Sequence, residues 1–305
     1  MNVFELDKAL IERYASFARS FSKIRAPEIE QQVAALYEDG KFWPEPLITI
    51  NPRFEKGRSI DQLASEGVLD PALTSIFAFG AERTPITLHR HQERSVVKAR
   101  NRESFIVTTG TGSGKSLCFF IPIVDAIVRA KKAGEAPRTR AIIIYPMNAL
   151  ANSQLGEIGK FVNDSDLPPN LRPTIARYTG QESDEERQRI SREKPDILLT
   201  NFMMLELLMT RQEGLDRAVI KNSLGLDFLV LDELHTYRGR QGADVAMLVR
   251  RVKQRLTPSK DLICIGTSAT MSSSPDEQER AATVAQVASK LFGQKIDAAN
   301  VIDEL

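Results

Sequence analysis

Apolar positions follow two different patterns along this chain. Up to about residue 80 they keep helical spacing. Leu6, Leu10, Tyr14, Phe17 and Phe21 recur three or four residues apart and mark one helical face. That face is expected to pack into a core. A second helix is predicted over Glu28–Tyr37, stopping at Asp39-Gly40. The prolines of Trp43-Pro44-Glu45-Pro46 and Asn51-Pro52 break regular structure, and short helices are predicted near Ser59–Glu66 and Pro71–Phe77. Residues 1–80 therefore read as a mostly helical N-terminal region.

From about residue 84 short apolar runs alternate with longer helical stretches. The runs are Phe105–Thr108, Ala141–Tyr145, Thr174–Tyr178, Asp196–Thr200, Phe228–Leu231 and Leu262–Thr267. Most are β-branched or leucine-rich without strict alternation, as expected of strands covered on both faces. Helices are predicted over 116–132, 147–162, 183–192, 202–212 and 240–255. In the last, Val245, Leu248, Val249, Val252 and Leu256 form an apolar face. This order predicts an α/β fold, a parallel sheet flanked by helices, over residues 81–305. Ligands of such sheets sit at the carboxyl ends of strands, where each motif described below falls.

Composition narrows the setting. The 305 residues carry 41 basic and 40 acidic side chains, a net charge of +1. There is no global basic field, so contact with a nucleic acid must come from local surface. Cys118 and Cys264 sit inside apolar runs without metal-ligand spacing and read as buried thiols. No signal peptide is recognisable and no apolar run approaches membrane-span length. A soluble, cytoplasmic protein with no membrane partner is expected.

The richest chemistry lies in Thr108-Thr109-Gly110-Thr111-Gly112-Ser113-Gly114-Lys115-Ser116. An apolar strand precedes it and a helix follows, the context of a phosphate-binding loop rather than a flexible turn. Glycines let backbone N–H groups curl around an anion, and the helix offers its positive end to the same charge. Lys115 can reach β- and γ-phosphates, and the Ser116 hydroxyl can bind Mg²⁺. The strict pattern has glycine where this chain has Thr109. Downstream, Phe228-Leu229-Val230-Leu231 delivers Asp232-Glu233-Leu234-His235. Two adjacent acids at the end of an apolar strand are costly unless they bind something. Asp232 is placed to hold Mg²⁺ and Glu233 to polarise an attacking water. His235 is either a surface histidine or a link from the acids to Thr267-Ser268-Ala269-Thr270, whose hydroxyls end the last predicted strand.

These three motifs, in this order, resemble the first RecA-like lobe of superfamily 2 helicases. The match is to the DEAD/DEAH-box-like group in its D-E-x-H form, over about residues 84–290. The resemblance implies a P-loop NTPase lobe using ATP and Mg²⁺, and it makes Thr109 an ordinary variant. Lys115, Asp232 and Glu233 would then be catalytic, with His235, Ser268 and Thr270 coupling hydrolysis to movement. By the same resemblance Gln92, in Leu88-His89-Arg90-His91-Gln92, either reads the adenine edge or is an ordinary exposed helix residue. Pro146, Met147 and Asn148, then Thr179 and Gly180, then Thr200 and Asn201 match the loops that grip a single strand in that family. The run Asp232–Val245 and Thr200–Leu207 resemble a branch of large D-E-x-H helicases with a C-terminal zinc-binding region. That branch includes bacterial DNA-repair helicases with 3′-to-5′ polarity and helicases of anti-phage defence islands of the Druantia type.

The resemblance implies an ATP-dependent DNA helicase or translocase acting on a single strand or duplex junction. An RNA helicase of the same superfamily, or a nucleotide-switched interaction module without turnover, is the alternative. No second RecA-like lobe, no arginine-finger motif and no zinc cysteines occur in the chain. The second lobe is therefore expected in cis or in trans, the chain being a fragment or half of a two-part machine, with weak ATP turnover on its own.

Overall fold

The computed structural model describes residues 2–21, 23–39, 42–44, 54–80, 82–110, 112–211, 214–259, 261–269 and 276–303. It divides into two compact units, Met1–Arg53 and Phe54–Leu305.

The smaller unit contains α1 (Val3–Ser20) and α2 (Pro27–Glu38). Asn2 and Glu5 form a capping box at the start of α1, and Pro27 opens α2. Tyr14 meets Trp43 edge-on at 5.2 Å, and Arg19 lies 4.9 Å from the Tyr37 ring. The stripe expected to enter a core does not. Phe17 is 60% and Phe21 72% exposed, and no described residue of this unit is buried. Two helices in so short a unit cannot enclose their own apolar faces.

The larger unit begins with β1 (Lys56–Ser59), α3 (Ile60–Ser65), α4 (Leu73–Ile76), β2 (Ala78–Phe79), β3 (Thr84–Pro85), β4 (Thr87–His89) and α5 (Arg90–Arg100). An alternating series follows: β5 (Phe105–Thr108), α6 (Lys115–Lys132), β6 (Ala141–Tyr145), α7 (Asn148–Asn163), β7 (Ile175–Arg177), α8 (Asp184–Glu193) and β8 (Ile197–Asn201). It closes with α9 (Phe202–Thr210), α10 (Gly214–Lys221), β9 (Phe228–Leu231), α11 (Gly239–Leu256), β10 (Ile263–Thr267), α12 (Glu277–Phe292) and β11 (Val301–Asp303).

Among the described residues β5 to β11 form one seven-stranded parallel sheet in the order β11-β5-β10-β9-β6-β8-β7. Successive side chains divide between two cores, as a pleated strand requires. Phe105, Val107, Ile143 and Val230 meet Phe119, Ile123 and Ile127 of α6 on one face. Ile106, Ile142, Leu229 and Leu231 meet α9, α11 and α12 on the other. The expected strands are present within a residue or so of their expected ends, and helices flank the sheet on both faces.

Residues 54–80 lie in this larger unit, although their pattern had grouped them with the N-terminal helices. The reason is in α6, which is apolar nearly all round. Ile121, Val124 and Val128 point away from the sheet and are covered by Ile60, Leu63, Leu69, Leu73, Ile76 and Phe77. A helix buried on both sides needs a second layer, and this segment supplies it.

One buried polar centre ties β7, α8 and α10 together. The Asp216 carboxylate accepts from the Tyr178 hydroxyl at 2.5 Å, Arg187 at 2.7 Å and Arg211 at 2.5 Å. Burial works against ionisation of Asp216, but these hydrogen bonds outweigh it and hold the carboxyl below the usual aspartate range. Burial and the same carboxylate push the Tyr178 hydroxyl up to about 12. A depressed native pKa contributes stability above the unfolded pKa and loses it as pH falls. Asp216→Asn is expected to cost about 1–3 kcal/mol at neutral pH. The gap from the parent should narrow in acid, as measured by urea unfolding across pH.

Candidate functional site

The loop after β5 turns on glycine. Gly112 and Gly114 have φ of +82° and +73°, conformations strained for other residues, and Gly114 caps α6. Thr109 is fully buried, and its hydroxyl lies 2.6 Å from that of Ser113, so the threonine closes the loop on itself. Lys115 Nζ donates to the carbonyls of Thr109 and Gly110, both at 2.9 Å. Ser116 follows in the first turn of α6. Thr111 lies outside the described residues.

The preceding helix braces this loop. Gln92 is buried, not an exposed helix residue. Its Oε1 accepts from the His89 backbone at 2.9 Å, and its Nε2 donates to the carbonyls of Gly114 at 3.1 Å and Ser113 at 3.4 Å. His91 Nε2 lies 2.9 Å from the Ser113 carbonyl. A side chain on Gly114 would meet Gln92 Nε2 at 2.6 Å, so brace and loop need glycine there.

Asp232 and Glu233 leave β9 in a strained turn, Glu233 having φ +53°. Thr267, at the end of β10, bridges them. Its hydroxyl donates to Asp232 Oδ1 and accepts from the Glu233 backbone N–H at 3.1 Å. Desolvation first, then the neighbouring Glu233 charge, raises the Asp232 carboxyl above the usual range; Thr267 and Lys115 act the other way. Glu233 Oε2 is buried and accepts no hydrogen bond, though His235 Nδ1 stands 3.2 Å away. The same Nδ1 lies 3.3 Å from the Ser268 hydroxyl, so His235 takes the linking position of its two readings. Thr270 lies outside the described residues. Gly266 lets this turn approach β10, since a Cβ there would meet Leu234 at 2.3 Å.

The loops after β6, β7 and β8 form a second cluster. Asn201 Nδ2 donates to Asn148 Oδ1 at 2.7 Å and to the Thr179 carbonyl at 3.2 Å, while its Oδ1 accepts from Met204 N–H at 2.7 Å. Glu182 Oε2 accepts the backbone N–H groups of Thr179 and Gly180, both at 2.8 Å, and its Oε1 accepts from the Thr179 hydroxyl and Arg177. Burial pushes Glu182 up, yet these bonds outweigh it and hold its carboxyl below the ordinary range. Thr200 Oγ1 donates to the Tyr178 carbonyl at 2.7 Å. Pro146 and Met147 lead into α7 beside this cluster.

The two clusters are contiguous. β5, β10 and β9 are neighbours, and β6 then joins β9 to β8. Sequence reasoning named the P-loop and acidic residues and the hydroxyl run from Thr267, without singling out Thr267 as the direct bridge, and missed Glu182 as the hub of the β7 loop and His91 as a brace. A hydroxyl directly before Ser268 and a histidine beside Gln92 were the available signals. Glu182 gave none, because its partners are set by a turn.

A DEAD/DEAH box helicase family model matches residues 89–278. The Druantia protein DruE of Escherichia coli (strain UMEA 4076-1) is 24% identical, over 81% of this chain and 19% of its own length. The uncharacterized ATP-dependent helicase YprA of Bacillus subtilis (strain 168) is 31% identical, over 60% of this chain and 23% of its own. The chain thus matches 19% and 23% of the length of these two relatives. Among solved structures, the DUF1998 helicase MrfA bound to DNA and AMPPNP superposes with a TM-score of 0.64 at 25% identity, covering 88% of this chain and 34% of that one. No helix among the described residues is long and apolar enough to cross a membrane.

The raised Asp232 carboxyl has a consequence for stability. An acid whose native pKa is elevated favours the fold below that pKa, and the favour is lost as pH rises through it. Without divalent cations, Asp232→Asn should therefore melt a few degrees higher than the parent at neutral pH, and the advantage should fade as pH falls. Thermal melts in a chelating buffer check this.

Proposed function

The chain belongs to the DEAD/DEAH box helicase family, and we propose that it is the ATP-binding first RecA-like lobe of a DNA helicase or translocase. The observation that carries this reading is the convergence of Lys115, Asp232, Glu233 and Thr267 at the carboxyl ends of three neighbouring strands. In this reading the glycine-opened loop and the α6 N-terminus hold the phosphates, and Lys115 turns from the loop carbonyls to the β- and γ-phosphates. The donor set fits a divalent ion. Asp232 is a desolvated carboxylate in need of positive charge, with the Ser116 hydroxyl at the start of α6. Bound there with phosphate and water oxygens, Mg²⁺ would neutralise phosphate charge.

In this reading the Glu233 carboxylate, whose Oε2 accepts no protein hydrogen bond, is the acceptor for a water. As water oxygen attacks the γ-phosphorus and the bond to the β–γ bridging oxygen breaks, its proton passes to Glu233, and ADP and phosphate leave. A carboxylate poised in this way argues against a nucleotide switch without turnover. The strained turn at Glu233 and the Thr267 bond to its backbone N–H support this reading.

The loops after β6, β7 and β8 are proposed to carry the nucleic-acid strand, with a second RecA-like lobe, in cis or in trans, closing over both sites. DNA is favoured over RNA by the Asp-Glu-Leu-His form and by likeness to MrfA bound to DNA. Likeness to DruE and the match over Asp232–Val245 support a setting in DNA repair or anti-phage defence.

In the complete protein Lys115→Ala should abolish ATP binding or turnover in a DNA-stimulated phosphate-release assay. Glu233→Gln should retain nucleotide binding and lower kcat by about 10²–10⁴-fold; unchanged turnover would remove Glu233 from the mechanism. Asn201→Ala, which unties the three strand-side loops, should weaken DNA binding in fluorescence anisotropy while leaving ATP binding intact.

A further inference from the structure

The polar side chains that the sequence nominates as grips for a strand are turned inward. The Thr179 and Thr200 hydroxyls donate to Glu182 and to the Tyr178 carbonyl. Asn201 uses both ends of its amide, and Asn148 Oδ1 accepts one of them. The backbone N–H groups of Thr179 and Gly180 go to Glu182. These groups build the loops and are engaged in doing so.

Among the side chains this edge turns outward, which include Gln181 of the β7 loop, two are large and apolar. Met147 is 60% exposed at the N-cap of α7, and Met203 is 65% exposed in the first turn of α9. Their loops are joined by the Asn148–Asn201 bond at 2.7 Å and by the parallel register that pairs Tyr145 with Asn201. Leu207, one turn beyond Met203 on the same side of α9, extends the patch. Met147 supplies no side-chain cap at the start of α7, which leaves the first-turn backbone N–H groups without one. This edge therefore offers amide donors for a phosphate and polarisable apolar surface for what lies next to it along a strand.

We infer that Met147 and Met203 form a sugar-contacting pair that selects deoxyribose over ribose. This rests on the strand-binding reading of these loops and names the class of strand they take. A deoxyribose presents an apolar C2′ to the thioethers. A ribose would press its 2′-hydroxyl against groups that neither donate well nor accept well, and would lose a water without gaining a partner. A hydroxyl desolvated in this way is disfavoured by a factor on the order of ten.

The test is the binding of oligodeoxyuridylate and oligouridylate of equal length, which differ only in the 2′-hydroxyl, to the complete protein with AMPPNP. The parent is expected to favour the deoxy strand about tenfold or more by fluorescence anisotropy. Met147→Gln/Met203→Gln keeps side-chain length and adds a donor and an acceptor. It should bring the preference to about threefold or less, chiefly through tighter RNA binding. Met147→Leu/Met203→Leu keeps the surface apolar and should keep the preference. A parent without preference, or a glutamine variant with the parent's ratio, overturns the inference while leaving strand binding in place. Binding of neither strand overturns the strand-binding reading and the inference with it.

Discussion

Removing the Asp232 carboxyl from water is the constraint around which the centre of this lobe is arranged. Ionised carboxylates are tolerated away from solvent only with partners. Here the compensation comes from two other strand ends: a hydroxyl from β10 and, beyond the loop after β5, the charge of Lys115 at the start of α6. The strand order puts β10 between the other two, so the bridging threonine lies between the loop and the acids. Glu233 next door takes a positive φ and keeps one oxygen unbonded. Strain and an unsatisfied acceptor are both unfavourable for a fold, and both suit a site whose charge is completed by a ligand.

The strand-side cluster depends on the same sheet through β6. The Asp232 backbone N–H donates to the Ile144 carbonyl at 3.0 Å. One residue on, Tyr145 ends β6 with its hydroxyl buried and unbonded, its ionisation suppressed by burial and by the Asp232 charge. Pro146 and Met147 then lead into α7, where Asn148 meets Asn201. In the proposed machine a contiguous route thus runs from the acid turn to the strand-side loops without leaving β6. It complements the link through His235 and Ser268.

Where the pattern of side chains is set by the sheet, it was readable in the sequence. Strands covered on both faces announce themselves as apolar runs, and the loop, acids and hydroxyls lie at their ends because such sheets bind there. The regions that were not readable fail for definite reasons. β11 is a three-residue edge strand, too short to show periodicity. α12 is largely polar residues and alanine, with few large apolar residues to mark its face. Residues 54–80 look like the helices before them, and only the two-sided burial of α6 decides where they pack. The inward turn of Thr179, Thr200 and Asn201 is likewise invisible in sequence. A hydroxyl or amide reads as a potential donor until its own loop is seen to consume it.

Gln92 shows how the same accounting sharpens a residue's role. An amide has two N–H donors and one oxygen with two lone pairs. In this structure both donors face loop carbonyls of Ser113 and Gly114, and one lone pair takes the His89 N–H. One lone pair on Oε1 remains. In the proposed ATP complex it suits the adenine amino group, a donor. It is mismatched with the carbonyl that guanine carries at the same position, which is an acceptor. Base choice would then follow from the brace, since the contacts that hold Gln92 on the P-loop also fix its remaining group as acceptor only. Because Gly114 admits that brace and also caps α6, in the proposed complex the choice of nucleotide and the cradle for its phosphates would be built by one set of hydrogen bonds.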